Sequence, residues 1–359
     1  MRIGIDASRA TAARRTGTER YSLNLICALL AQGSPHTFTL YLRDQPAPGL
    51  LPNGDRRVIP FPRLWTHARL AWELLTASPR PDVLFVPAHV IPLAHPLPTV
   101  VTVHDLGYRY FPDAHPLTQR LYLDWSTRFS ARAAAHVIAD SQATKRDLGR
   151  FYDLSAEKVT VVYPGRDESF QRVDPARARA KYALPENYLL HVGTLQPRKN
   201  LIRLIEAIRD PPSAVRLILV GRRGWRSEPI LTAANARGVR MLEHVPDEDL
   251  PGLYSGAAAF VFPSLYEGFG FPVLEALACS VPVICSNTSS LPEVAGDAAL
   301  HVDPTDTAAL AAAITRVLTD ADLRASLIER GFAQVQKFSW DKAAREALAV
   351  LEKVGMERK

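Results

Sequence analysis

Thirteen short apolar runs, separated by stretches of helical periodicity, constrain this chain more than any other feature. The first half reads "RIGID", "TFTLYLR", "RRVIPF", "DVLFVP", "TVVTVHD", "HVIADS" and "KVTVVYP". The second reads "YLLHVGT", "VRLILVG", "VRMLEHV", "AAFVFPS", "PVIC" and "ALHVD". Strands that alternate with helices build parallel sheets, because a parallel connection needs a crossover long enough to hold a helix. The helical stretches fall at 18–32, 117–135, 200–209, 227–237, 247–257 and 272–279, and 307–332 and 340–354 close the chain as two more. At 359 residues the chain exceeds one ordinary core. The pattern predicts an α/β protein of two doubly wound, Rossmann-like domains. A charged stretch at 166–186, holding Pro175 and Pro185 and no strand pattern, marks the boundary. Residues 1–170 form the expected first domain and 185–335 the second, with the C-terminal helix 340–359 packing back on the first. Open parallel sheets bind ligands beyond the carboxyl ends of their strands. Two such sheets facing each other would share a central cleft there, so strand ends are where chemistry is expected.

Composition narrows the class. Apolar residues make up 47% and charged residues 22%, as in soluble globular proteins. No apolar run approaches the roughly 20 residues that span a bilayer. "MRIGIDASRA" reads as a strand interrupted by Asp6 and not as a signal peptide, so a cytoplasmic protein is expected. Cys27, Cys279 and Cys285 lie in apolar segments without metal-ligand spacing and read as core residues. Residues 1–182 hold 24 Lys and Arg against 16 Asp and Glu, and the remainder hold 19 against 21. A basic half points to an anionic partner. Its arginines are scattered, which favours a phosphorylated substrate or an anionic membrane over nucleic acid. Two segments suit a membrane surface: "RLWTHARLAWELL", with Arg63, Trp65, His67, Arg69 and Trp72, and the 117–135 helix, with Arg120, Arg128 and Arg132. Both also suit ordinary helices packed on a sheet.

The stretch "SLYEGFGFPVLEALA" sets Glu267 and Glu275 around Gly268, Phe269 and Gly270. Pro272 is well placed as the first residue of a helix, where its missing N–H costs nothing. The glycines then make a tight loop at that helix's N-terminus, whose backbone can approach an anion or sugar oxygens. Eight residues at roughly 100° each put the two glutamates on different faces, so they are expected to serve two different groups of one ligand. In "GTLQPRKN", Arg198 and Lys199 precede a helix starting near Asn200, a combination suited to a diphosphate. Gly17 stands ahead of a helix that Thr18 would cap. His104 ends the run "PTVVTVHD", with Asp105 a candidate to orient it or to hold the loop. "DED" at 247–249 reads as helix N-terminal acids and not as a metal site. The glycines of "LILVGRRGW" do not complete a dinucleotide fingerprint.

These segments resemble the retaining glycosyltransferases of the GT-B fold, family 4. The resemblance is carried by the E-x7-E spacing of Glu267 and Glu275, by "HVGTLQPRKNLIRLIEAI", "PVICSNTSSLPEVAGDAALHVDP" and "FSWDKAA", and more weakly by "MRIGIDASRATAARRTGTERYSLNL" and "VVTVHDLGYRYFP". Within the family the chain looks most like the mannosyltransferase-like branch that builds bacterial surface polysaccharide. The resemblance implies a nucleotide-sugar donor, foremost GDP-mannose, a glycan or lipid-linked acceptor, and no metal or other cofactor. UDP-glucose, dTDP-rhamnose and a non-catalytic nucleotide-sugar-binding role are the alternatives. Carried over by position, Glu275 would hold the ribose hydroxyls and Glu267 would lie beside the donor sugar. Gly268, Phe269 and Gly270 would offer it backbone N–H groups. Arg198 and Lys199 would neutralise the departing diphosphate, Gly17 and Thr18 would close over it, and His104 would line the reacting centre. Many relatives carry an arginine directly after the strand's glycine. Here Gly193 is followed by Thr194 at the donor site, and Arg198 is the candidate for that arginine's role.

Overall fold

All thirteen apolar runs form strands in the computed structural model, which describes residues 1–12, 17–52, 54–62, 64–114, 116–208 and 215–357. The chain divides into two units, Met1–Leu106 with Thr118–Gly165 and Phe338–Lys359, and Gly107–Leu117 with Arg166–Lys337. Each unit is built on one wholly parallel sheet.

The first sheet holds β1 (Arg2–Asp6), β2 (Thr37–Leu42), β3 (Asp55–Val58), β4 (Val83–Val86), β5 (Thr99–Val103), β6 (His136–Ala139) and β7 (Val159–Val161). Its order is β3-β2-β1-β4-β5-β6-β7, so the winding reverses between β1 and β4. Strands β4, β5 and β6 are buried along their whole length, which explains their unbroken apolar runs: helices cover both faces. Tyr41, Trp65, Leu84, Val101, Leu148 and Tyr152 belong to one core cluster on this sheet. The helix Trp340–Met356 completes the unit and buries Ala343, Ala344, Ala347 and Leu351. Ser339 caps it by accepting from Lys342 N, and two links run to the first helix region: Gln32 Nε2 to Asp341 Oδ1 at 2.7 Å and His36 Nε2 to Glu352 Oε1 at 2.7 Å.

The second sheet holds β8 (Tyr188–Val192), β9 (Arg216–Val220), β10 (Arg240–Leu242), β11 (Ala259–Phe262), β12 (Val283–Ser286) and β13 (Ala299–Val302). Its order, β10-β9-β8-β11-β12-β13, repeats the reversal between β8 and β11. Leu189, Leu204, Leu219, Val261, Ile284 and Leu310 pack in its core.

Several local expectations change. The single helix expected at 307–332 is two, Thr307–Thr319 and Ala321–Val335. Asp320 between them has extended backbone (φ −100°, ψ 98°), ends the first helix and caps the second by accepting from Leu323 N at 2.9 Å. An aspartate competes with the backbone for hydrogen bonds, and here that breaks the run. The first helix begins at Gly17, so Thr18 lies in its first turn and not at its cap. Pro272 is the second helical residue and not the first, because the helix begins at Phe271. "DED" forms a 3₁₀ turn, Asp247–Asp249, ahead of the helix Leu250–Ser255. There Asp249 accepts from Tyr182 Oη at 2.6 Å and from Lys181 Nζ, which lowers its pKa through those two hydrogen bonds. Arg63 and part of the loop ahead of Gly17 lie outside the described residues.

Candidate active site

The second unit gathers its chemistry at the reversal of its sheet, beyond the carboxyl ends of β8 and β11. Strand β8 hands the chain to Gly193, which must pass beside Gly221 at the end of β9. A Cβ on Gly221 would stand 2.1 Å from Gly193 O, and its φ is +144°, so only glycine fits. The chain then turns through a 3₁₀ segment, Pro197–Lys199, into the helix Leu201–Ala207. Asn200 joins the two in a left-handed conformation (φ 59°) and donates from Nδ2 to Pro263 O at 3.1 Å and Pro304 O at 2.6 Å. Leu265 N donates to Arg198 O at 2.9 Å. The turn that carries both cations is thereby fastened to the loops after β11 and β13.

Arg198 and Lys199 converge on Glu267. Arg198 Nη1 lies 2.9 Å from Oε2 and Lys199 Nζ 2.6 Å from Oε1, so each carboxylate oxygen has its own cation. Arg198 also donates to Tyr266 O, and Lys199 Nζ lies 4.6 Å from the centre of the Phe262 ring. Burial alone would raise the Glu267 pKa; the two cations outweigh it and hold the carboxyl down to about 2. Beneath them His191 is buried and its Nδ1 faces Val261 O at 3.0 Å. Burial, helped by the Lys199 charge, pushes its pKa down to about 3, so this imidazole is neutral at physiological pH. The site therefore has a fixed ionic pattern of two cations and one anion.

The loop between β11 and the helix Phe271–Ala278 is held from one side. Glu267 N donates to Ser289 Oγ at 2.9 Å, and Ser290 Oγ lies 3.0 Å from Glu267 O and 2.6 Å from Phe269 O. Thr288 Oγ1 donates to Leu265 O at 3.3 Å. Gly270 caps the helix at φ 118°, and a Cβ there would meet Leu291 Cδ2 at 2.8 Å. Phe269 is buried and meets Phe271 edge to face at 5.0 Å. Gly268 lies in the same stapled loop. One turn into the helix, half-buried Glu275 accepts from Tyr254 Oη at 2.8 Å. The two glutamates thus sit in separate networks: Glu267 holds cations, and Glu275 shares a phenol. Thr194, half-buried, follows Gly193 at the end of β8, with its Cγ2 2.6 Å from where a Cβ on Gly224 would stand.

The first unit has its own buried cluster at the carboxyl ends of β4, β5 and β6. His104 follows β5 and Asp140 follows β6; His104 Nδ1 and Asp140 Oδ2 are 2.6 Å apart. Asp105 was expected to orient His104 or to hold the loop, and the orienting contact is made by Asp140. A residue following the neighbouring strand is beside His104 in space, and Asp105 adds its charge nearby. Burial lowers the His104 pKa, but the Asp140 carboxylate overcomes this and the net shift is upward. Tyr21 and His89 flank the ring edge to face at 4.7 and 5.0 Å. Burial, reinforced by His104, drives His89 down to about 3. Nδ1 of His104 is taken by Asp140, and the Pro87 backbone also favours the charged ring. Thr144 Oγ1 donates to His104 O at 3.1 Å, and Thr144 N donates to Ser141, the cap of the helix Gln142–Tyr152. Gly17 and Thr18 belong to this unit too, exposed and half-exposed in the first turn of their helix.

The sequence passed over Asp140, His191, Tyr254, Ser289 and Ser290. For the serines a signal existed: "NTSS" lies just beyond β12, at the same sheet end as Glu267.

Two parallel sheets of this order have the GT-B architecture, and the second one's reversal carries a cation pair. Residues 15–170 match the family model described as Glycosyltransferase Family 4, and residues 174–334 match Glycosyl transferases group 1. The chain belongs to glycosyltransferase family 4 and is a glycosyltransferase. It is 37% identical over 262 residues to the O-antigen chain mannosyltransferase B of Escherichia coli, covering 69% of this chain and 68% of that one. It is 30% identical over 312 residues to the serotype-specific mannosyltransferase WbdA of Escherichia coli, covering 78% of this chain and 38% of that longer one. Among solved structures, sucrose-phosphate synthase from Thermosynechococcus elongatus shares the fold with a TM-score of 0.78 at 23% identity, over 98% of both chains.

Proposed function

We propose that this glycosyltransferase is a metal-independent, retaining mannosyltransferase that uses GDP-mannose and extends a lipid-linked or surface polysaccharide. The curated relatives named as mannosyltransferases support the sugar. The observation that carries the mechanism is the pairing of both Glu267 oxygens with Arg198 and Lys199. A carboxylate so paired, with its pKa near 2, is a poor base and a weakened nucleophile. Its role is to hold two cations ready for the diphosphate. The acceptor hydroxyl oxygen then bonds to the anomeric carbon on the face the leaving group vacates. The carbon–oxygen bond to the diphosphate breaks, and the hydroxyl proton passes to the departing phosphate oxygen. Arg198 and Lys199 stabilise charge that grows on that diphosphate, an effect that fixed donors supply without reorganising. Backbone groups of 268–270 orient the sugar, Glu275 holds the ribose hydroxyls, and Gly17, Thr18 and Thr194 contact the donor. His104, oriented by Asp140, faces a hydroxyl of the donor sugar.

Donor choice and stereochemistry test this directly. Purified protein with GDP-mannose, UDP-glucose and dTDP-rhamnose should show thermal stabilisation and sugar release with GDP-mannose, because selective donor binding stabilises the fold. NMR of the product should show an α-linkage from this α-linked donor, and a β product would overturn retention. Replacing Glu275 with Ala should weaken nucleotide-sugar binding about tenfold or more, the effect of losing a charged hydrogen-bond acceptor. Calorimetry that found the same affinity in both proteins would remove Glu275 from the ribose.

A further inference from the structure

Glu275 is held by a partner that orients it without cancelling its charge. Its Oε2 accepts from Tyr254 Oη at 2.8 Å. A phenol donates a hydrogen bond but brings no charge, so the carboxylate is steered and not neutralised. Glu267 is the contrast, with each of its oxygens against a cation, Arg198 or Lys199. The two glutamates are therefore prepared for opposite work. One is balanced between charges, and the other stays fit to accept from hydroxyls.

Tyr254 is stiffer than the glutamate it holds. Glutamate is among the side chains with most rotamer freedom to lose, whereas Tyr254 is a fully buried ring and Glu275 is half-buried. Phe170 meets the Tyr254 ring edge to face at 5.9 Å, and Phe260 of β11 lies 5.3 Å away at 60°. The helix Leu250–Ser255 that carries Tyr254 is pinned as well. Tyr188 Oη, at the start of β8, donates to Leu253 O at 2.6 Å, and Val173 N donates to Ser255 Oγ at 3.1 Å. The backbone is closely packed there: a Cβ on Gly252 would stand 2.8 Å from Ala178 Cβ, and one on Gly256 2.7 Å from Tyr188 Oη. The phenol oxygen is thereby fixed in space. Its hydrogen bond passes that position to a carboxylate 21 residues along the chain, on another helix.

We propose that Tyr254 is a positioning residue for the donor: through Glu275 it sets the ribose contact, and so the preference for a ribonucleotide over a 2′-deoxyribonucleotide. This assignment rests on Glu275 as the ribose residue, and on no particular base or sugar. A carboxylate that accepts from two neighbouring hydroxyls must keep one orientation to meet both, because misaligned hydrogen bonds weaken steeply. Tyr254 supplies that orientation before the donor arrives, which leaves less ordering for binding to impose.

Calorimetry on the full chain tests it. GDP and UDP are each compared with their 2′-deoxy counterparts in the parent, Tyr254→Phe, Glu275→Ala and the double variant. The parent should bind the preferred ribonucleotide about tenfold tighter than its deoxy form, the effect of one hydrogen bond to a charged group. Tyr254→Phe should cut that preference roughly fivefold, with the deoxy affinity little changed. Phenylalanine keeps the ring, so a role in packing alone would leave the ratio intact. Adding Tyr254→Phe to Glu275→Ala should change nothing further, because the phenol acts through that carboxylate. If Tyr254→Phe keeps the parent's ratio while Glu275→Ala loses it, the proposal is overturned and the ribose assignment stands. If the parent binds both forms equally and Glu275→Ala matches it, the ribose assignment falls and takes the proposal with it. A further loss in the double variant, as large as in Tyr254→Phe alone, would place the phenol's effect outside Glu275 and also overturn it.

Discussion

Lys199→Ala is expected to lower turnover at least about 100-fold, the usual effect of removing one donor that acts on transition-state charge. The ammonium is buried against Glu267 and the Phe262 ring, where water cannot readily take its place. Because the charge it meets grows as the bond breaks, kcat and kcat/KM should fall together while KM changes little. Glu267 keeps Arg198 as a partner, so the fold should survive and thermal unfolding should remain cooperative. Single-turnover kinetics with saturating donor would check the chemical step. Turnover near that of the parent protein would refute the diphosphate role.

Glu267→Gln is expected to cost about 3–5 kcal/mol of stability at neutral pH, because it leaves two largely buried cations without their anion. The pH dependence follows from the depressed carboxyl. The folded pKa of about 2 lies below the ordinary value of 4.5, so the ionic contribution is complete above that ordinary value. It is lost as pH falls towards the folded value. The stability gap between parent and variant should therefore narrow by about 1.4 kcal/mol between pH 7 and roughly pH 3.5, about one pKa unit of linkage. Urea unfolding at the two pH values measures this. A gap that stayed constant, or widened in acid, would show that Glu267 is not the anion that holds Arg198 and Lys199.

The sheets were legible because parallel strands buried on both faces leave unbroken apolar runs, as in "VLFV" and "TVVTV". Helix ends were less legible. Asp320 stands in a run whose apolar period continues past it, and only its extended backbone and capping bond show that it divides the helix. At the site, the E-x7-E spacing located both glutamates, and the resemblance separated their roles. It could not show that Arg198 and Lys199 use Glu267 as a common anchor, since 68 residues separate Lys199 from it. Asp140 was missed for the same reason. Its partner His104 lies 36 residues away, brought close only because β5 and β6 are neighbours.

The helix Trp340–Met356 belongs to the first unit although the chain makes it after the second. During synthesis the first sheet therefore waits, lacking the helix that buries Ala343, Ala347 and Leu351, until the chain through Met356 has left the ribosome. The second unit's last segment, Arg166–Lys337, is finished earlier. A chain truncated after residue 337 and released would expose an apolar seam on its first half while its second half could already close. Chaperone capture during translation should concentrate on that first half.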